Sequence, residues 1–144
     1  MSLNPVREVR YRFRLATEHL HRAERLFKLG DWVGVVNSAQ LAVENFAKAL
    51  IAVFEVPTWS HDPSAQLLKL LDRFPSGLRD DIRGIARVVR EMAPEHGRST
   101  YGEPGRGLTP GDLYKEGHAR EALDKAVKAW HTARRVLEAL GVEV

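Results

Sequence analysis

The 144-residue sequence contains no cysteine. Disulfide staples, thiolate metal sites and cysteine nucleophiles are therefore excluded, and the usage fits a reducing compartment, the cytoplasm. Also missing is any run approaching the roughly 18 uncharged apolar residues of a membrane span. The opening MSLNPVREVRYR has no apolar core of a secretory signal, so a soluble chain is expected. No stretch alternates as a strand does, and no internal repeat is evident. The metalloprotease pattern H-E-x-x-H is absent, His19 and His21 point to different faces of one helix, and His118 and His131 are not at ligand spacing. Neither a metal nor a cofactor is expected. Gly102, Gly105 and Gly107 follow a helix and lack the Lys-Ser/Thr ending of a phosphate-binding loop, which removes a nucleoside-triphosphate cradle there.

What is present suits one core. With 44% hydrophobic residues the chain reads as a single domain over 1–144. Its net charge is +3, and the 22 basic residues divide into 16 Arg and 6 Lys. The planar fork of Arg suits phosphate, although Arg richness also accompanies genome composition or life at high temperature.

Periodicity then orders the helices. Asn4 and Pro5 form a helix start, after which Val6, Val9, Phe13, Ala16, Leu20, Ala23 and Phe27 recur at spacings of three and four up to Gly30. Asp31 caps a second helix apolar almost all round, the expected centre of the fold. Gln40, Glu44 and Lys48 stand one turn apart on it and are expected to form a structural polar network, because a lone buried charge is costly. The connection TWSHDPS follows Pro57, with His61 read as its tether and Asp62 as a cap for a short third helix ending near Phe74. A fourth helix buries Leu78, Ile82, Ile85, Val89 and Met92 and carries Arg79, Arg83, Arg87 and Arg90 on another side. That band fits either a phosphate backbone or a solvated face. Residues 94–108, rich in Gly and Pro, are expected to be a long loop. Thr109, Pro110 and Asp112 start a last helix running to Leu140. The fold class is all-α, an antiparallel up-and-down bundle of four to five helices with a long loop before the last helix.

One constellation carries chemistry. Arg90 ends the fourth helix and His96 lies just beyond it. A cation and a group titrating near neutrality in one hollow suit metal-free RNA cleavage. On spacing alone the same residues also read as a solvated helix-terminal cation and a loop residue.

The order of these signals resembles the HEPN domain family over roughly residues 11–140. The segment LKLGDWVGVVNSAQLAVENFAKALIAVF at 26–54 looks like the family's turn and second helix, followed by HDPSAQLLKLL at 61–71 and then the Arg90…His96 pair. The resemblance implies an R-x4–6-H motif, here with five intervening residues, of toxin-like, metal-independent endoribonucleases. It implies Arg90 and His96 as catalytic residues; beside them, Arg83 and Arg87 of the arginine band, with Arg98 and Tyr101, are expected to hold the RNA. It further implies a homodimer and a small nucleotidyltransferase antitoxin as partner. Arg98 and Tyr101 read alternatively as a phosphate-and-base clamp in a non-catalytic nucleotide-binding or nucleotidyltransferase-docking module.

Overall fold

The computed structural model describes residues 5–144, and the expected Asn4 cap lies outside them. Four long helices make the frame: α1 (Pro5–Lys28), α2 (Trp32–Ala52), α4 (Arg79–Met92) and α7 (Glu116–Ala139). Between them stand the short helices α3 (Ser64–Lys69), α5 (Glu95–Tyr101) and α6 (Pro110–Leu113). No helix among the described residues is long and apolar enough to cross a membrane.

The helices begin and end where local chemistry requires. Gly30, at φ +75°, turns the chain after α1 while its N–H and that of Asp31 donate to the carbonyls of Phe27 and Leu26, ending the helix with a left-handed residue. The Asp31 carboxylate then accepts from the Gly34 N–H at 2.9 Å, satisfying one of the free donors of the next helix start. This tight turn folds α1 back on α2. The α1 seam of Val9, Phe13, Ala16, Leu20 and Ala23 is buried as its spacing predicts.

The centre is α2, which packs on α1, α3, α4, α5 and α7. From Ser38 to Ala52 every residue except Leu41 is buried. Alanines at 119, 122, 126, 129 and 133 of α7 are buried, and such small side chains let two helix backbones come close. Buried Phe46 meets Phe13 edge-to-face at 5.3 Å, and Phe74 meets Phe54 at 4.9 Å.

Two expectations need correction. Residues 94–108 are not one long loop, because Glu95–Tyr101 is helical. Pro94 stands at the N-terminal edge of α5, where its missing N–H is harmless, and the helix stops at Gly102, φ +69°. The remaining turn is closed by reciprocal backbone hydrogen bonds between Glu103 and Leu108, at 2.8 and 3.1 Å. The last helix is also divided. Asp112 accepts from the Thr109 N–H and hydroxyl at 2.9 and 3.0 Å, starting α6 as expected, but the chain is extended at Tyr114 and Lys115 before α7. The break seats the Tyr114 ring in the interior, where its hydroxyl donates to Glu95. The Lys115 N–H donates to His118 Nδ1 at 3.0 Å, opening the second helix.

Among the buried polar residues of α2, three form one network. Glu44 accepts from Gln40 Nε2 and from Lys48 Nζ, each at 3.0 Å, and Gln40, Glu44 and Lys48 are all buried. Burial pushes the Glu44 carboxyl upward, but hydrogen bonds from Gln40, Lys48 and His61, with the Lys48 charge, hold it below the ordinary carboxylate range.

Two stability tests follow from this packing. A Cβ on Gly102 would stand 2.1 Å from the Leu108 carbonyl oxygen at a left-handed φ, whereas one on Gly105 meets nothing within 4 Å. Gly102→Ala should therefore cost about 1–3 kcal/mol, and Gly105→Ala less than about 0.5 kcal/mol, by thermal unfolding. Lys48→Met strands a buried carboxylate and should cost about 3–5 kcal/mol, much of it recovered in Glu44→Gln/Lys48→Met. Because the folded pKa of Glu44 is depressed, its contribution is present above the ordinary value of 4.5 and lost as pH falls through the folded value. Denaturant titration below that pH should show a shallower loss of stability in Glu44→Gln than in the parent.

Candidate functional site

The arginine band of α4 is only partly available. Arg79 turns back to the carbonyls of Phe74 and Asp72, at 3.1 and 3.3 Å. Arg83 pairs with Asp80 at 2.8 Å on the same exposed surface. Arg87 and Arg90 are exposed and have no hydrogen bond or ion pair among the described residues. Arg98 is committed internally: its guanidinium donates to Glu95 and to Glu103, both at 2.9 Å. Burial works against its charge, and those carboxylates raise its pKa despite that. Arg98 thus fastens α5 to the following turn beside a cavity of about 160 Å³ lined by Glu91, Glu95, Tyr114 and Lys125. Burial and the neighbouring Glu95 carboxylate push the Tyr114 phenol upward. Tyr101 is 74% exposed.

His96 sits in the first turn of α5 and faces α2. No hydrogen bond joins it to Arg90 within the chain. Its Nδ1 lies 3.1 Å from Gln40 Oε1, and its ring stacks on His61, with centroids 3.7 Å apart and planes 22° from parallel. His61 Nδ1 in turn lies 2.9 Å from Glu44 Oε1. Sequence reading reached Gln40, Glu44 and Lys48 through their spacing, and His96 through its distance from Arg90. It left His61 as a loop tether, since 17 residues separate it from Glu44 and no helical period links them. The available signal was Glu44 itself, a carboxylate on an apolar helix that needs more donors than Lys48 supplies.

The proton positions follow from donor chemistry. An ionised carboxylate only accepts, so the contact from Gln40 must be its NH₂, and the contact from His61 must be an N–H. Gln40 therefore turns its carbonyl oxygen toward His96, and an oxygen that only accepts requires Nδ1–H on that ring. In the neutral form both imidazoles carry the proton on Nδ1 and a bare lone pair on Nε2. Among the described residues the sole buried side-chain nitrogen or oxygen without a partner is His19 Nδ1. His96 Nε2, which has no protein partner, consequently reaches solvent, and the His61 side chain is 52% exposed. Burial, and secondarily the charge of His61, lower the pKa of His96. Burial and then Arg22 lower that of His19.

The segments holding the histidines are firmly seated. Asn37 on α2 donates to Ser99 on α5 at 3.0 Å. Gln66 accepts from the Thr58 N–H at 2.7 Å and donates to Glu55 and to the Val56 carbonyl at 2.9 Å, which holds the loop ahead of His61. Among the described residues no group of three or more His, Asp or Glu side chains is placed to hold a metal ion. The arrangement supplies two stacked imidazoles with fixed tautomers, backed by a buried ion pair and open on one side.

Comparison with known proteins adds the lineage. The crystal structure of TT1696 from Thermus thermophilus superposes with a TM-score of 0.64 at 24% identity, covering 90% of this chain and 98% of that one. That likeness shows a shared fold. Among curated proteins nothing matches the chain. The family model for the HEPN domain matches residues 9–141, nearly the whole sequence. By that match the chain belongs to the HEPN domain family.

Proposed function

We propose that the protein is a toxin-like, metal-independent endoribonuclease of the cytoplasm, acting as a homodimer and restrained by a small nucleotidyltransferase partner. The observation that carries this reading is the state of His96: a neutral imidazole whose proton is fixed on Nδ1 by Gln40, leaving Nε2 bare and open. Such a nitrogen abstracts the proton of a ribose 2′-hydroxyl. The adjacent phosphorus is then attacked and the chain is cut with a cyclic 2′,3′-phosphate end. Exposed Arg87 and Arg90 supply cations for the phosphates. Since Arg90 does not meet His96 in one chain, assembly of two copies around the strand brings them together. Trp59, 93% exposed two residues before His61, and Tyr101, 74% exposed on α5, offer ring faces to unpaired bases.

A second reading, a nucleotide-binding or nucleotidyltransferase-docking module without catalysis, is favoured by a groove of about 800 Å³ beside α1 and α7, lined by Arg10, Phe13, Arg14, Trp130 and Arg134. Arg134 lies over the Trp130 ring at 5.2 Å while donating to Glu138 at 3.0 Å, so base stacking is on offer there.

The two separate cleanly. Under the nuclease reading, purified protein with a chelator cuts single-stranded RNA, His96→Ala abolishes cutting, and Arg90→Ala slows it by roughly 10²–10³-fold. The lowered pKa of His96 keeps the base competent above it, so the acidic limb of the rate profile should have its midpoint below the ordinary 6.5. Equal cutting by parent and His96→Ala discards this reading. Under the docking reading, ATP raises the melting temperature by mass action and Trp130→Ala removes that shift; no shift in the parent counts against it.

A further inference from the structure

A tether for the loop after Pro57 needs only the hydrogen bond from His61 to Glu44. It does not need the rest of what is there. The His61 ring is half exposed, yet its edge is anchored on a buried carboxylate and its face covers the ring of His96. The loop that delivers it is braced locally. Ser60 accepts from the Asp62 N–H at 3.0 Å, Asp62 accepts from the Ser64 N–H at 3.1 Å, and Pro63 is buried. His61 is therefore held at Nδ1 by Glu44, and its other nitrogen, Nε2, has no hydrogen-bond partner among the described residues.

Two imidazoles at stacking distance do not readily carry two positive charges, because like charges this close repel. The pair is thus suited to hold one proton between two bases. Glu44 sets a carboxylate against His61 Nδ1, while Gln40 presents a neutral carbonyl to His96 Nδ1, so a counter-charge faces one ring and not the other. The asymmetry is built into α2: one carboxylate at 44 and one amide at 40, a turn apart. A charged imidazole beside a neutral one is the arrangement required for acid and base to act in the same step.

Resting on the nuclease reading above, we propose that His61 is its second catalytic residue, the general acid, and that Glu44 and Gln40 are the positioning residues that assign acid to His61 and base to His96. In the step, the 2′-hydroxyl proton passes to His96 Nε2 as the 2′-oxygen bonds to phosphorus. The bond from phosphorus to the 5′-oxygen breaks, and that oxygen takes the proton from His61 Nε2. The products are a cyclic 2′,3′-phosphate and a free 5′-hydroxyl. No water is consumed and nothing is oxidised or reduced. His96 ends protonated and His61 neutral, and exchange with solvent resets the pair. The groups governing the pair come from three helices and the loop: Glu44 and Lys48 on α2, His96 on α5, and His19 on α1, which feels Glu44.

The test uses the full-length protein and two RNAs that share the cleavage site mapped with the parent, one ordinary and one with sulfur replacing the bridging 5′-oxygen. Sulfur leaves without needing a proton. His61→Ala is expected to cut the ordinary RNA roughly 10²–10⁴-fold more slowly and the sulfur-bridged RNA within about tenfold of the parent. His96→Ala should lose both substrates. His61→Gln keeps an anchor for the loop and should behave as His61→Ala does, separating chemistry from folding. Should His61→Ala cut ordinary RNA as the parent does, or slow both RNAs equally, the acid role is overturned while the His96 reading stands. Parent-like cutting by His96→Ala overturns both.

Discussion

A carboxylate buried on an apolar helix must be matched by donors, and the site grows from that requirement at Glu44. Its two oxygens accept from Lys48, Gln40 and His61, drawn from its own helix and from the loop beyond Pro57. Ionisation survives burial only because these donors act together. Removing one leaves the others misdirected, since Gln40 is oriented by Glu44 and His96 by Gln40. The same contacts that keep the charge in the core therefore fix which nitrogen of each histidine is bare.

That coupling links fold stability to chemistry through one helix. α2 touches α1, α3, α4, α5 and α7, so its register sets where the residues at 40 and 44 emerge. The loop carrying His61 and the helix carrying His96 converge on one stretch of α2. An apolar replacement of the buried triad would pack, and a buried ion pair is often no more stabilising than such packing. Its presence here is better explained by what it orients than by what it adds to stability.

The scaffold was legible because its signals are local. Asp31 as cap, Gly30 as stop, the seam of α1 and the largely apolar character of α2 each depend on residues a few positions apart. The misread regions depend on distant contacts. Composition made 94–108 look irregular, yet Pro94 opens α5, and Asn37 on α2, 62 residues away in sequence, gives that short helix a partner at Ser99. The strong start at Thr109 suggested an unbroken helix, but a buried Tyr114 with its hydroxyl on Glu95 demanded an extended step. In the site, the spacing of Gln40, Glu44 and Lys48 was visible, whereas the contact of His96 with Gln40 spans 56 residues and leaves no periodic trace.

The position of the arginines completes the argument about charge. Arg98 looks like a phosphate ligand in the sequence, but two carboxylates already occupy its fork, and a phosphate would have to displace both. Arg79 is likewise spent on backbone carbonyls that a preceding turn leaves open. What remains is Arg87 and Arg90, one turn apart on the exposed side of α4, whose guanidiniums meet no counter-charge among the described residues. A polyanion binds where it need not first break an existing ion pair, because the displaced carboxylate would then be left to repel it. Of the basic positions marked on α4 and α5, those free of a counter-charge therefore lie on the last two turns of α4, next to the segment that leads into the His96 helix, and that is where the proposed nuclease would meet a phosphate backbone.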